Sequence, residues 1–165
     1  MYNYSKMDEI VLNLRRKIYK EKRKIVFVCI GTNRVAGDSL GPLVGSYLKS
    51  NSNLEVFGDL SKNICEKKDL EIIRDRLKNR CVVAIDSAIS DYGCLGEVFI
   101  TSNPLKVAVG LNNDKGIVGD ISIKGIVAEN KYDPYENFIA LRNSNIDFIQ
   151  SLAIVISQGI KRAIY

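Results

Sequence analysis

Two rhythms of apolar residues alternate along this chain, and together they predict its architecture. Residues 25–30 (IVFVCI) and 81–85 (CVVAI) are apolar throughout and rich in β-branched side chains. Short runs of that kind are strands buried on both faces in the middle of a sheet. Around them run stripes at helical spacing. Met7, Val11, Leu14 and Ile18 predict an amphipathic helix over residues 7–21. Gly41 and Pro42 open a second helix, because proline in a first turn has its φ preset and loses no hydrogen bond there. Leu43, Val44, Tyr47 and Leu48 form its inner face. Leu70, Ile73 and Leu77 mark a third helix, with Asn63 and Glu66 at cap spacing ahead of it. Asn145 caps a last helix whose inner side is Ile146, Ile149, Ala153, Ile156 and Ile160. Its centre, residues 152–156, is apolar all round, which predicts deep packing.

The other segments are shorter. Residues 54–57 and 97–101 read as strands, and residues 104–109 as a short strand or extended segment. Ile121, Ile123 and residues 125–128 read as a further strand of alternating character, with Lys124 an exposed residue on it. Residues 92–96 and 111–118 read as loops, the second a candidate lid. Pro134 opens a short helical or irregular stretch. Strands alternating with helices predict an α/β three-layer sandwich with a mostly parallel sheet. The length of 165 residues, without repeat or linker, predicts a single domain over residues 1–165, with residues 1–23 a basic helix packed on it.

Composition narrows the chemistry. There is no histidine, which removes the commonest metal ligand, the usual general base and any Ser-His or Cys-His arrangement. Cys29, Cys65, Cys81 and Cys94 form no CxxC pair and read as buried small hydrophobes of a reducing cytosol. No apolar run of about 18 residues predicts a membrane span, and no apolar stretch follows the first charges as a signal peptide would require. The net charge of +5 lies wholly in residues 1–24, which hold eight basic and three acidic side chains. That segment reads as a solvated helix face rather than a nucleic-acid arm, because no aromatic or RNA-binding motif accompanies it.

One acidic residue sits in the glycine-rich loop after the first strand, Gly31-Thr32-Asn33-Arg34-Val35-Ala36-Gly37-Asp38, and another follows the third strand, Asp86-Ser87. In open α/β sheets ligands bind beyond the carboxyl ends of the strands, where strand order reverses. With the second strand on one side of the first and the third on the other, Asp38 and Asp86 face each other across neighbouring strands. Two close carboxyls share a proton, so that one activates water while the other donates. The same pair could hold a divalent cation, although without histidine a tight zinc or nickel site does not follow. Taken singly, Asp38 reads as a cap of the second helix and Asp86 as a turn residue. The loop is neither a Walker loop nor GxGxxG. Arg34 and Lys115 are cations within reach of a substrate, Lys115 reading equally as surface charge.

The stretch from Gly31 to Gly45, with Asp-Ser-Leu-Gly-Pro at its centre, and the stretch Val118-Gly119-Asp120-Ile121-Ser122-Ile123 resemble the YyaC-type sporulation proteins of spore-forming bacteria. The resemblance covers residues 24–162. That family is similar to the germination protease, which degrades small acid-soluble spore proteins, and to the hydrogenase maturation proteases. It implies a phosphorylase/hydrolase-like fold and an endopeptidase of the spore core or forespore cytoplasm. Asp38 and Asp86 match the two aspartates proposed as that protease's catalytic pair. Gly31, Thr32, Asn33, Arg34, Ser87 and Asp120 then become candidate substrate-binding residues. It implies a protein or peptide substrate, no cofactor and no metal, and it admits a homo-oligomer. The nickel-binding histidine of the maturation proteases has no counterpart. The chain is shorter than the germination protease and shows no recognisable propeptide. The rival expectations are a non-catalytic peptide- or partner-binding protein on the same fold, and a nucleic-acid binder using residues 1–24.

Overall fold

The computed structural model describes residues 4–91, 94–107 and 116–165. Its centre is a five-stranded sheet built from β1 (Ile25–Cys29), β2 (Val56–Phe57), β3 (Cys81–Ser90), β4 (Val98–Thr101) and β7 (Ile121–Glu129). The strand order is β2-β1-β3-β7-β4. All neighbours are parallel except β4, which runs antiparallel to β7 at the edge. A separate antiparallel pair joins β5 (Leu105–Val107) to β6 (Gly116–Val118). The helices are α1 (Tyr4–Ile18), α2 (Leu40–Asn51), α3 (Lys67–Leu77), α4 (Pro134–Arg142) and α5 (Ile146–Ile164). This is the three-layer α/β arrangement with a mostly parallel sheet that the apolar runs predict.

The sheet divides two cores by strand alternation. On one face Phe27, Cys29, Val83, Ile85 and Ile123 pack against α1, α2 and α5. On the other Val26, Val28, Ile30, Val82 and Ala84 pack against Leu70 and Ile73 of α3 and against the β5–β6 pair. The basic helix α1 lies on α5, where Gly159 lets the two approach: a Cβ there would stand 2.6 Å from Ile10 Cγ2. Ile10, outside the predicted stripe, is buried with Met7 and Leu14. Among the described residues no helix is long and apolar enough to cross a membrane.

Several boundaries differ from the sequence reading. The cap of α3 is Glu66, which forms a reciprocal capping box with Asp69, and Asn63 lies outside it. Both pairs have cap spacing, and only the second coincides with the point where the backbone turns helical. Asn145 does cap α5, accepting from the amides of Asp147 and Phe148. Ile146, the first residue of α5, is 44% exposed rather than on the inner face. Residues 116–118 of the expected lid form strand β6; the rest of that loop, with Lys115, lies outside the described residues, as do Tyr92 and Gly93. β3 continues five residues beyond the expected stop at Ile85, because β7 still pairs with it there.

Loop 58–64 fastens the top of the sheet. Asp59 is buried and accepts from the amides of Ser61 (2.7 Å) and Lys62 (2.8 Å), and from Lys49. Burial works to raise its pKa, but these donors and the Lys49 charge outweigh it and hold the carboxyl below the usual range. Asp59→Ala is expected to lose about 2–3 kcal/mol by orphaning two amides and a lysine. Urea unfolding checks this; a loss under about 0.5 kcal/mol would contradict it.

Candidate functional site

β1 has β2 on one side and β3 on the other, so strand order reverses between β1 and β3. That is where an open α/β sheet binds ligands. β1 ends at Cys29, paired with Ile85, and Asp86 is the first β3 residue past that last pair. Asp86 therefore lies within a strand rather than at a turn. β3 changes character at this point, from five buried residues to five half-buried ones.

From β1 the chain turns through Gly31, at φ +131°, and returns as a 3₁₀ turn over Gly37–Ser39 that runs into α2. The return is close. A Cβ on Gly31 would sit 2.1 Å from the Asp38 carbonyl oxygen, and one on Gly41 would sit 1.9 Å from that of Ile30. The Thr32 amide donates both to the Asp38 carbonyl (3.1 Å) and to Asp38 Oδ2 (3.0 Å). Ser39 stands at the N-cap of α2 and no side chain caps that helix. Asp38 is thus not a helix cap; its carboxyl closes the loop on Thr32.

The two carboxyls come within electrostatic reach. Burial pushes Asp38 up to about 6, against the pull of the Thr32 amide. Burial raises Asp86 well above the usual carboxylate range, and the charge of Asp38 raises it further. The Ser87 amide at 2.7 Å and the charge of Lys124 act the other way. Part of Asp86 still reaches solvent, yet its carboxyl is largely enclosed by protein, so desolvation dominates. Both carboxyls therefore hold their protons more firmly than an exposed aspartate does, Asp38 through burial and Asp86 through burial and the charge of Asp38.

The other predicted residues divide. Gly31 and Thr32 shape the loop as described. Asn33 is exposed and ties that loop to loop 58–64, donating to Leu60 O (2.9 Å) and accepting from Asn63 Nδ2 (3.1 Å). Arg34 is exposed, with no carboxylate partner among the described residues. Ser87 contributes only its amide. It pairs with Gly125, where a Cβ would meet Leu40, Leu152 and Ile156, so its side chain faces the helices while Asp86 faces the α3 side. Asp120 does not belong to the site. Its Oδ2 accepts from the Val82 amide (2.8 Å) and its Oδ1 pairs with Arg23 (3.3 Å). That is four residues, roughly 13 Å, down β3 from Asp86. Its motif position placed it after β6, and β6 and β7 meet at the amino end of β3 rather than at the carboxyl end.

Sequence reasoning passed over Lys124, which is Asp86's register partner on β7. A charge inside the run Ile121-Ser122-Ile123-Lys124-Gly125-Ile126 was the available signal. Cys65, at the entry to α3, also feels the Asp38 charge and is pushed up first by burial. A cavity of about 390 Å³ between β2 and α3 is lined by Phe57, Asn63, Ile73 and Arg76 and contains neither aspartate. Among the described residues no three potential ligand side chains cluster, and two carboxyls without imidazole or thiolate do not suit a firmly held nickel ion.

Comparison with known proteins gives similarities of sequence and of fold. The model of a family described as a protein of unknown function, DUF1256, matches residues 1–159. The uncharacterized protein YyaC of Bacillus subtilis (strain 168) is 35% identical over 143 residues, which is 84% of this chain and 68% of YyaC. The crystal structure of the NiFe hydrogenase maturation protease HycI from Thermococcus kodakarensis KOD1 matches with a TM-score of 0.54 at 17% identity. That match covers 92% of this chain and 99% of HycI, and at such identity the likeness is one of fold.

Proposed function

The chain belongs to the DUF1256 family and is of the YyaC type, and from that premise we propose that it is an endopeptidase using Asp38 and Asp86 to activate water. The observation that carries this reading is the pair itself. Two carboxyls, both raised by burial, stand at the topological switch point within electrostatic reach of each other. The fold shared with a maturation protease supports it. The resemblance of residues 24–162 to sporulation proteins makes a small acid-soluble spore protein the first substrate to try.

The carboxylate of Asp38 takes a proton from water as the water oxygen bonds to the scissile carbonyl carbon. The carbonyl π pair moves onto oxygen beside protonated Asp86. As the C–N bond breaks, the proton held on Asp38 passes to the leaving nitrogen. The products are a carboxylic acid and an amine, and the pair returns to its starting state. Gly31 and Thr32 fix the base, and Asn33 and Arg34 border the opening where a peptide lies.

Incubation of the protein with small acid-soluble spore proteins and with unfolded polypeptides tests this, with new termini read by mass spectrometry from about pH 4 to about pH 9. Cleavage is expected, with the rate falling below pH about 6 as Asp38 takes up its proton. It should also fall at high pH as Asp86 loses its own. Absence of cleavage across the whole range would favour a peptide-binding protein on the same fold.

A further inference from the structure

β7 carries a charge where the sheet around it is covered. On its α3-side face Ser122 and Ile126 are 1% and 4% exposed, and Lys124 between them is exposed. β7 is an interior strand, with β3 and β4 as neighbours, and such strands are ordinarily apolar on both faces. Lys124 pairs in register with Asp86 of β3 on one side and with Phe99 of β4 on the other. Register partners point to the same face with their Cβ atoms about 5 Å apart. Phe99 is 48% exposed. The covering layer therefore opens above Lys124, and Asp86 forms one wall of the opening. The Lys124 ammonium makes no ion pair or hydrogen bond with any described residue. The charges acting on the Asp86 carboxyl are Asp38, from the 3₁₀ turn, and Lys124, from β7.

We propose that Lys124 is a third catalytic residue of this site, the cation that binds the carbonyl oxygen under attack and balances its negative charge in the tetrahedral intermediate. This rests on the two-aspartate peptidase reading. Asp38 takes the proton from water and returns it to the leaving amine, while Asp86 stands protonated beside the carbonyl oxygen. Neither supplies a positive charge to the oxygen that gains the electron pair. Lys124 does so from the same face as Asp86, on a rigid interior strand, and its flexible stem lets the ammonium follow the oxygen as the carbon becomes tetrahedral. With one proton on the pair, the ammonium also brings the net charge of the three groups to zero, which lowers the cost of closing a peptide over them.

The test uses the full chain as wild type, Lys124→Met and Lys124→Arg. In peptide hydrolysis Lys124→Met is expected to lower kcat about 100-fold with KM changed less than about threefold, and Lys124→Arg to recover most of that loss. In parallel, the Asp86 carboxyl is titrated by ¹³C NMR, which needs no substrate. It is expected to titrate about one pH unit higher in Lys124→Met than in wild type and to return toward wild type in Lys124→Arg. An active wild type with an unchanged kcat in Lys124→Met would overturn the role of Lys124 and leave the aspartate pair standing. An unmoved Asp86 titration would show that the ammonium does not face the carboxyl and would overturn it as well. A moved titration in a protein that cleaves nothing would instead remove the peptidase reading, and the catalytic role of Lys124 with it.

Discussion

Asp38→Asn should abolish hydrolysis and, at neutral pH, make the protein more stable. The loss of rate follows from removing the base: an amide cannot take the proton from water, and the expected fall in kcat is on the order of 10³–10⁴-fold. The gain in stability follows from the same burial that raises the carboxyl. Asp38 goes from an ordinary 3.8 to about 6 in the fold, so the folded chain holds this proton more tightly than the unfolded chain. A group raised in this way favours the fold fully below its unfolded value, and that contribution fades as pH rises through its folded value. Wild-type stability should therefore decline between about pH 4 and about pH 6 on account of Asp38, and Asp38→Asn should flatten that part of the curve. Shifting one carboxyl that far corresponds to roughly 3 kcal/mol before screening. Asp38 is only half-buried, so the gain should be about 1–2 kcal/mol. Asparagine still accepts from the Thr32 amide, which keeps the loop closed.

Asp86→Asn should also lose rate, by removing the protonated carboxyl beside the carbonyl oxygen, and the part of the wild-type stability decline that it removes should extend to higher pH, because Asp38 repels Asp86 as well. The double variant should gain less stability than the two singles together, since each single change already relieves the repulsion. Thermal melts from about pH 4 to about pH 8, alongside hydrolysis assays, check all of this. Stability that rises with pH in wild type across that window, or an active Asp38→Asn protein, would remove the pair from the mechanism.

How much of this was legible beforehand depended on what each residue signals locally. The runs IVFVCI and CVVAI disclosed interior parallel strands because only such strands are apolar on both faces. Their order was assumed rather than read; with β2 on one side of β1 and β3 on the other, as the sheet has them, the rule for switch points directs attention to Asp38 and Asp86. The true extent of β3 was hidden, since Asp86 and Ser87 look like the end of a strand and pairing with β7 is a long-range fact. The same blindness put Asp120 near the site. A motif gives sequence distance, whereas the sheet sends the amino end of β7 to the opposite edge from Asp86. Lys124 was passed over because exposed lysines are common on strands. Only its buried neighbours, Ser122 and Ile126, make its exposure informative. Capping was readable at Asn145 and not at Glu66, where a glutamate takes a place usually held by smaller side chains.

Gly31→Ala should be severely damaging, although it adds a single methyl group beside the site. The residue adopts φ +131°, where an L side chain is strained before any neighbour is considered. Its new Cβ would also lie 2.1 Å from the Asp38 carbonyl oxygen and 3.1 Å from Pro42 Cδ. The first contact is with backbone, so no rotamer change relieves it. Gly31 is held from the other side as well, its amide donating to Ile64 O at 2.9 Å, so the loop cannot simply swing away. Strain and overlap together should lower stability by about 3–5 kcal/mol. For a chain of this length that is a fall of roughly 10 °C in Tm. What yields is the contact between residues 31–32 and Asp38, including the two bonds from the Thr32 amide. The carboxyl then loses its fixed position, so activity should fall even at temperatures where the variant stays folded. In Asp38→Asn the rate is lost while stability rises; in Gly31→Ala both are lost. That contrast separates the chemistry of the carboxyl from the loop that places it. A Gly31→Ala protein within about 1 kcal/mol of wild type would show that the turn is not held against Asp38 as described.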